Sequence, residues 1–131
     1  MMYREPSDSP WGLVVRCDTL CPGVYSVSTA GHGGIMAQID AARLLLSPEA
    51  QAVGFQAGGY LNFEEDCDAP VVLRELMDSG IIAPRTDNYF RPGEYEACID
   101  RSLQHWNPAY WQARQERLSV REAKATKERE R

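Results

Sequence analysis

The chain has 131 residues, 44% of them hydrophobic, and a formal net charge of -5 at pH 7. That length supports one hydrophobic core and argues against a second. No stretch reaches the roughly 18 apolar residues of a membrane helix, and the start Met1-Met2-Tyr3-Arg4-Glu5-Pro6-Ser7 lacks an apolar signal region, so a cytoplasmic protein with no membrane partner is expected.

Charge divides the chain. Residues 1–111 hold 15 acidic and 7 basic side chains, while residues 112–131 hold 4 acidic and 7 basic. The acidic body repels nucleic-acid phosphate and favours a basic protein partner, or simply solubilises the surface; only the tail suits nucleic acid. The expected organisation is a flexible segment over 1–10, a single α+β domain over 11–111 and a charged helical tail over 112–131.

In chain order, residues 1–10 carry two prolines and mixed charge and predict little burial. Trp11–Cys17 is β-branched and apolar, and Val24–Thr29 alternates with period two. With Pro22-Gly23 between them, the two runs predict an antiparallel hairpin. Ile35, Ile39, Ala42, Leu45 and Leu46 recur at helical spacing and predict an amphipathic helix over about 35–46. Ser47-Pro48 caps a short helical turn that Gly54 ends. After Gly58-Gly59, Tyr60–Phe63 reads either as a brief third strand or as the lead into the next helix.

Asp68-Ala69-Pro70 is a helix entry, with Asp68 as the candidate N-cap. Val72, Leu73, Leu76 and Met77 line one face until Gly80. Residues 81–92 connect to a helix over Glu94–Trp106, with Tyr95, Ile99, Leu103 and Trp106 on one stripe before Asn107-Pro108. The tail follows as a helix in which Arg114, Arg117, Arg121 and Lys124 repeat at three or four residues. That spacing suits phosphate contact, but a fraying, solvated helix end is the favoured reading. The predicted architecture is α+β: a small antiparallel sheet of two to three strands packed with about four helices and a helical tail.

Two segments carry residues with chemical potential. In Ser28-Thr29-Ala30-Gly31-His32-Gly33-Gly34-Ile35, three glycines permit positive φ or close backbone approach around a histidine, the side chain that titrates near neutrality. Neither a P-loop nor a dinucleotide fingerprint is present, and no lysine occurs before Lys124. A structural turn held by His32 fits as well as a ligand site. The second segment, Glu64-Glu65-Asp66-Cys67-Asp68, crowds four carboxylates into five residues; such groups are solvated, bound to a cation or paired with arginine.

Ser28 or Thr29 near His32 has the residue types of a nucleophile and base, without the G-x-S-x-G elbow. Cys67 beside three acids is a poor nucleophile because negative neighbours disfavour its thiolate. Cys17 and Cys21 form a C-x3-C pair without a second half-site, so free thiols that are buried or half-buried are expected, and no metal and no cofactor is assigned.

The order of these motifs resembles a small domain of unknown function encoded on phages, plasmids and integrative elements. In that family an ST-x-GHGG loop precedes a YEED-x-D block, usually followed by tryptophan. The likeness spans about residues 11–80, with Phe63 in place of the tyrosine and Ala69 in place of the tryptophan. It implies a mobile-element context and no established mechanism.

The functional expectation is an accessory protein that binds a protein partner with a basic surface, as an inhibitor of a host nucleic-acid-targeting defence system. Its site would comprise Gly31, His32, Gly33, Gly34, Glu64, Glu65, Asp66 and Asp68. One alternative is a metal-dependent hydrolase or nucleotide-processing enzyme with His32 as its candidate catalytic group beside the acidic block. The other is nucleic-acid binding through Arg114, Arg117, Arg121 and Lys124.

Overall fold

A computed structural model of the chain describes residues 3–130; Met1, Met2 and Arg131, the outer ends of the expected N-terminal segment and tail, lie outside it. A short ribbon pairs β1 (Asp8–Ser9) with β2 (Gly12–Leu13). The main sheet follows with β3 (Arg16–Cys21), β4 (Val24–Ser28) and β5 (Gly33–Gln38). Helices α1 (Ile39–Leu45) and α2 (Pro48–Val53) lead to the hairpin of β6 (Phe55–Ala57) and β7 (Tyr60–Glu64). The chain finishes with α3 (Ala69–Asp78), α4 (Glu94–Trp106) and α5 (Pro108–Arg129).

The sheet order is β3-β4-β5-β7-β6, and every neighbouring pair is antiparallel. One face carries Val24, Ile35, Ala37 and Phe63 into the main core, against Ala42, Ala50, Val72, Leu76, Leu103 and Tyr110 of the helices. On the opposite face Tyr25, Val27 and Met36 are covered by Tyr3, Trp11 and Val14 of the N-terminal segment. Both faces of the central strands are therefore buried.

This arrangement corrects the expected architecture of two to three strands with about four helices. Five strands form the main sheet, two more form the ribbon, and there are five helices among the described residues. The principal difference is Gly33–Gln38, read from the spacing of Ile35 with Ile39 as the start of a helix. It is the middle strand, buried on both faces, and such strands read as continuous apolar runs without the period-two alternation of a half-exposed one. Helix α1 begins directly after it, at Ile39.

Tyr60–Glu64 is a strand, and its partner Phe55–Ala57 turns back through Gly58 and Gly59 at φ +62° and +86°. Two consecutive positive φ values are those of the tight turn that matches the twist of antiparallel strands. The first hairpin also differs in extent: β3 runs on to Cys21, and Gly12–Leu13 belong to the ribbon.

The helices follow their sequence signals closely. The Ser47 side chain accepts a hydrogen bond from Ala50 N at 3.2 Å, as its place before Pro48 predicts. Asp68 precedes α3 but makes no capping hydrogen bond with its side chain. Buried charges tie the three last helices together. Arg74, 4% exposed, donates to Asp78, Glu96 and Asp100 at 3.2, 2.9 and 2.9 Å. Buried Glu75 accepts from Ser47 N at 2.6 Å, from the Tyr110 hydroxyl at 2.6 Å and from Arg117 at 3.1 Å.

Candidate functional site

The histidine loop joins β4 to β5. Thr29 closes it: its backbone N–H donates to the His32 carbonyl at 2.7 Å, its hydroxyl donates to the same oxygen at 2.6 Å, and that hydroxyl accepts from His32 N at 3.1 Å. The hydroxyl is thus committed to the turn. The glycines act by close approach and not by unusual dihedrals, since Gly31, Gly33 and Gly34 are absent from the positive-φ glycines of the described chain. A Cβ on Gly34 would run into the Phe63 carbonyl and the Trp11 indole, and one on Gly33 into the Val27 carbonyl. Gly31 faces open space.

Strand register explains why the two sequence motifs meet. Gly34 pairs with Glu64, and Glu65 N donates to Gly33 O at 3.1 Å, so β5 and β7 run together to the end of the sheet. Gly34 on one strand and Glu64 on the other share a face, because side chains alternate with period two, and His32, the residue just before β5, extends the same alternation. His32 Nε2 accordingly donates to Glu64 Oε1 at 2.9 Å, and Nδ1 lies 3.6 Å from Glu65 Oε1. The Trp11 indole stands edge-on to the imidazole with centroids 6.2 Å apart, and Phe55 meets the indole at 6.3 Å.

His32, Glu65 and Asp66 each offer one donor atom within 4.8 Å of the others. Glu65 and Asp66 are exposed, whereas Glu64 is half-buried. Asp68 is directed elsewhere: Asn107 Nδ2 donates to its Oδ1 at 3.3 Å and to Cys67 O at 2.8 Å, fastening the acidic turn to the junction of α4 and α5. Glu65 also lines an open cavity of about 320 Å³, with Ser26, Ser28, Leu73 and Tyr95.

Thiol chemistry is disfavoured near this corner. Burial pushes the Cys67 thiol up, and Asp68 and Glu64 add to the effect. Burial and Glu5 likewise push Cys17 up to about 11. The four cysteines form no disulfide in the structure; Cys17, Cys21 and Cys67 are half-buried, and Cys98 is exposed where a buried or half-buried thiol was expected.

Of the residues singled out in the sequence, His32, Glu64, Glu65 and Asp66 come together, with Gly33 and Gly34 forming the floor that permits it. Gly31 lies at the exposed turn, and Asp68 lies against Asn107. The tail cations are divided. Arg114 is buried on Asp78 at 2.7 Å, and Arg117 reaches Glu75 at 3.1 Å and Glu49 at 3.6 Å, while Arg121 and Lys124 are exposed. Sequence reasoning missed Trp11, which entered only as the start of a strand, and Asn107, which entered only as a helix stop. Neither carries a local signal of its partner.

Residues 4–131 match a protein-family model over nearly the whole chain. The chain belongs to DUF7007, a domain of unknown function. Comparisons with curated proteins and with solved structures give no match. Among the described residues of this DUF7007 chain, no helix is long and apolar enough to cross a membrane.

Proposed function

We propose that this DUF7007 chain is an accessory protein of a phage, plasmid or integrative element that acts in the host cytoplasm by binding a protein. Its partner presents a basic surface to the acidic corner at the end of β7, and the partner is a nucleic-acid-targeting defence complex of the restriction or CRISPR kind. The mobile-element context follows from the motif resemblance, and the mode of action from charge.

The observation that carries this reading is a contrast between two sets of acids. Glu75, Asp78, Glu96 and Asp100 are matched by Arg74, Arg114 and Arg117. Among the described residues, Glu64, Glu65, Asp66 and Asp68 pair with no arginine or lysine, and the His32 imidazole stands beside Glu64 and Glu65. Glu65 and Asp66, exposed just past the end of β7 and unpaired with arginine or lysine, keep their field for a partner.

The test is interference in cells. Expression of the protein should relieve restriction of an incoming phage or plasmid, and the triple charge reversal Glu64→Lys, Glu65→Lys, Asp66→Lys should restore it with an unchanged circular-dichroism melt. Undiminished relief by the folded triple variant sinks the reading. The nucleic-acid alternative retains Arg121 and Lys124 as exposed cations, since Arg114 and Arg117 are engaged by α3. The hydrolase alternative draws on the proximity of His32 to Glu65 and Asp66.

A further inference from the structure

We propose that His32 Nδ1, Glu65 and Asp66 form a binding site for a divalent transition-metal cation of the zinc type, with Glu64 orienting the imidazole. This goes beyond the partner-binding reading and does not rest on it. It takes up the metal-dependent alternative read from the sequence, in which His32 stood beside the acidic block and no metal ligand was assigned.

Ligand separation supplies the geometric ground. The 3.6 Å between Nδ1 and Glu65 Oε1 is too long for a hydrogen bond. It is close to the roughly 3.4 Å that separates two ligands on a tetrahedral ion with bonds of about 2.1 Å. Asp66 offers a third donor, with an oxygen within 4.8 Å of a ring nitrogen of His32 and an oxygen of Glu65, and its exposed side chain has to close in to complete the set. One imidazole nitrogen with two carboxylates selects zinc, manganese, cobalt or nickel over magnesium and calcium, which take oxygen alone.

Orientation is set in advance. A metal-bound histidine gives its other ring N–H to a carboxylate or carbonyl, which fixes the tautomer and aims the lone pair. Here Nε2 donates to Glu64 at 2.9 Å, so Nδ1 is the nitrogen left facing Glu65. The backbone on both sides is rigid, held by Thr29 at His32 and by the Gly33 carbonyl at Glu65 N. Gly33 also makes room for the ligand, since a Cβ there would stand 3.1 Å from Glu65 Oε2.

The cavity beside the site is an independent feature of the same corner. Glu65 belongs to its wall together with the hydroxyl-bearing Ser26, Ser28 and Tyr95. Three protein ligands leave a coordination position for water or for an anionic group, the ligand count of open zinc sites.

Isothermal titration of zinc and manganese chlorides into the full chain, with the thiols kept reduced, tests the assignment. The expected result is one equivalent bound, with His32→Ala abolishing binding and Asp66→Asn weakening it. Glu64→Gln, which keeps shape and touches no metal, should weaken binding about ten- to a hundredfold. His105→Ala should bind as the unaltered chain does. Cobalt substitution should give a spectrum without thiolate charge transfer, which separates this site from the cysteines. No stoichiometric binding, thiolate absorption, or binding indifferent to both His32→Ala and Glu64→Gln would each overturn the proposal. Should His32→Ala fail to fold, the Glu64→Gln titration decides it.

Discussion

Glu64, the last residue of β7, holds the imidazole of His32 by an Nε2 hydrogen bond of 2.9 Å between positions 32 residues apart. The bond exists because β5 and β7 are neighbours in register, and it joins two motifs that the sequence presents separately. Both side chains remain partly open to water, His32 at 30% and Glu64 at 43% exposure. Such a pair contributes about 1 kcal/mol or less to folding. His32→Ala and Glu64→Gln should therefore each lower stability by no more than about 1 kcal/mol in urea denaturation. A loss of several kcal/mol would mark the pair as a folding element and not as a functional one.

The glycines make a sharper prediction. Gly34→Ala drives a methyl group into the Phe63 carbonyl and the Trp11 ring and should cost about 2 to 4 kcal/mol. Gly31→Ala meets nothing within 4 Å, at a backbone conformation an alanine can adopt, and should change stability by no more than about 0.5 kcal/mol. Equal effects at the two positions, measured by urea midpoints, would contradict the close-approach role.

Arg74 anchors the helical layer. Removing it leaves Asp78, Glu96 and Asp100 facing one another around a buried gap, so Arg74→Ala should destabilise by about 3 kcal/mol or more. Calorimetric or urea unfolding of the variant checks this. A loss below about 1 kcal/mol would place Arg74 in the class of exposed pairs.

Asp78 gives the fold an acid limit. Burial alone would raise its pKa, but Arg114, Arg74 and Arg117 outweigh it and hold the carboxyl below its ordinary 3.8. A carboxyl whose folded pKa is depressed stabilises the fold fully above its unfolded value and progressively less as pH falls through the folded one. Stability should consequently fall as pH is lowered below about 4, and Asp78→Asn should flatten that part of the profile. An unchanged acid limb in Asp78→Asn would contradict the assignment.

The last helix has two parts. Through Leu118 it contributes buried Arg114 and half-buried Arg117 to the network on α3, whereas Ser119–Glu130 is exposed throughout. Truncation after Leu118 should leave the melting temperature within about 2 °C. Truncation after Ala113 should lower it by about 4 °C or more, because it leaves Glu75 without its arginine and Asp78 with Arg74 alone.

Legibility in the sequence followed local chemistry. Helices α2 to α4 were readable because Ser47-Pro48, Pro70, Gly80 and Asn107-Pro108 bound them and apolar residues recur at helical spacing inside. Strand β5 was not, because burial on both faces erased its alternation and Ile35 fell into helical phase with Ile39. The His32 loop and the acidic block were each visible as motifs. Their encounter depended on β5 lying beside β7, and on the even-numbered positions of both strands sharing a face, neither of which one sequence displays. Arg114 and Arg117 were read as part of a solvated or phosphate-contacting row because their periodicity records a helix face without recording what covers it.

The direct test of one shared site is the nitrogen-15 spectrum of the imidazoles, in which only two histidines, His32 and His105, contribute. Glu64→Gln should move the Nε2 signal of His32 and Glu65→Gln its Nδ1 signal, while His105 keeps both of its own. His32 signals that stay in place in both variants would contradict the union of the histidine loop with the acidic block.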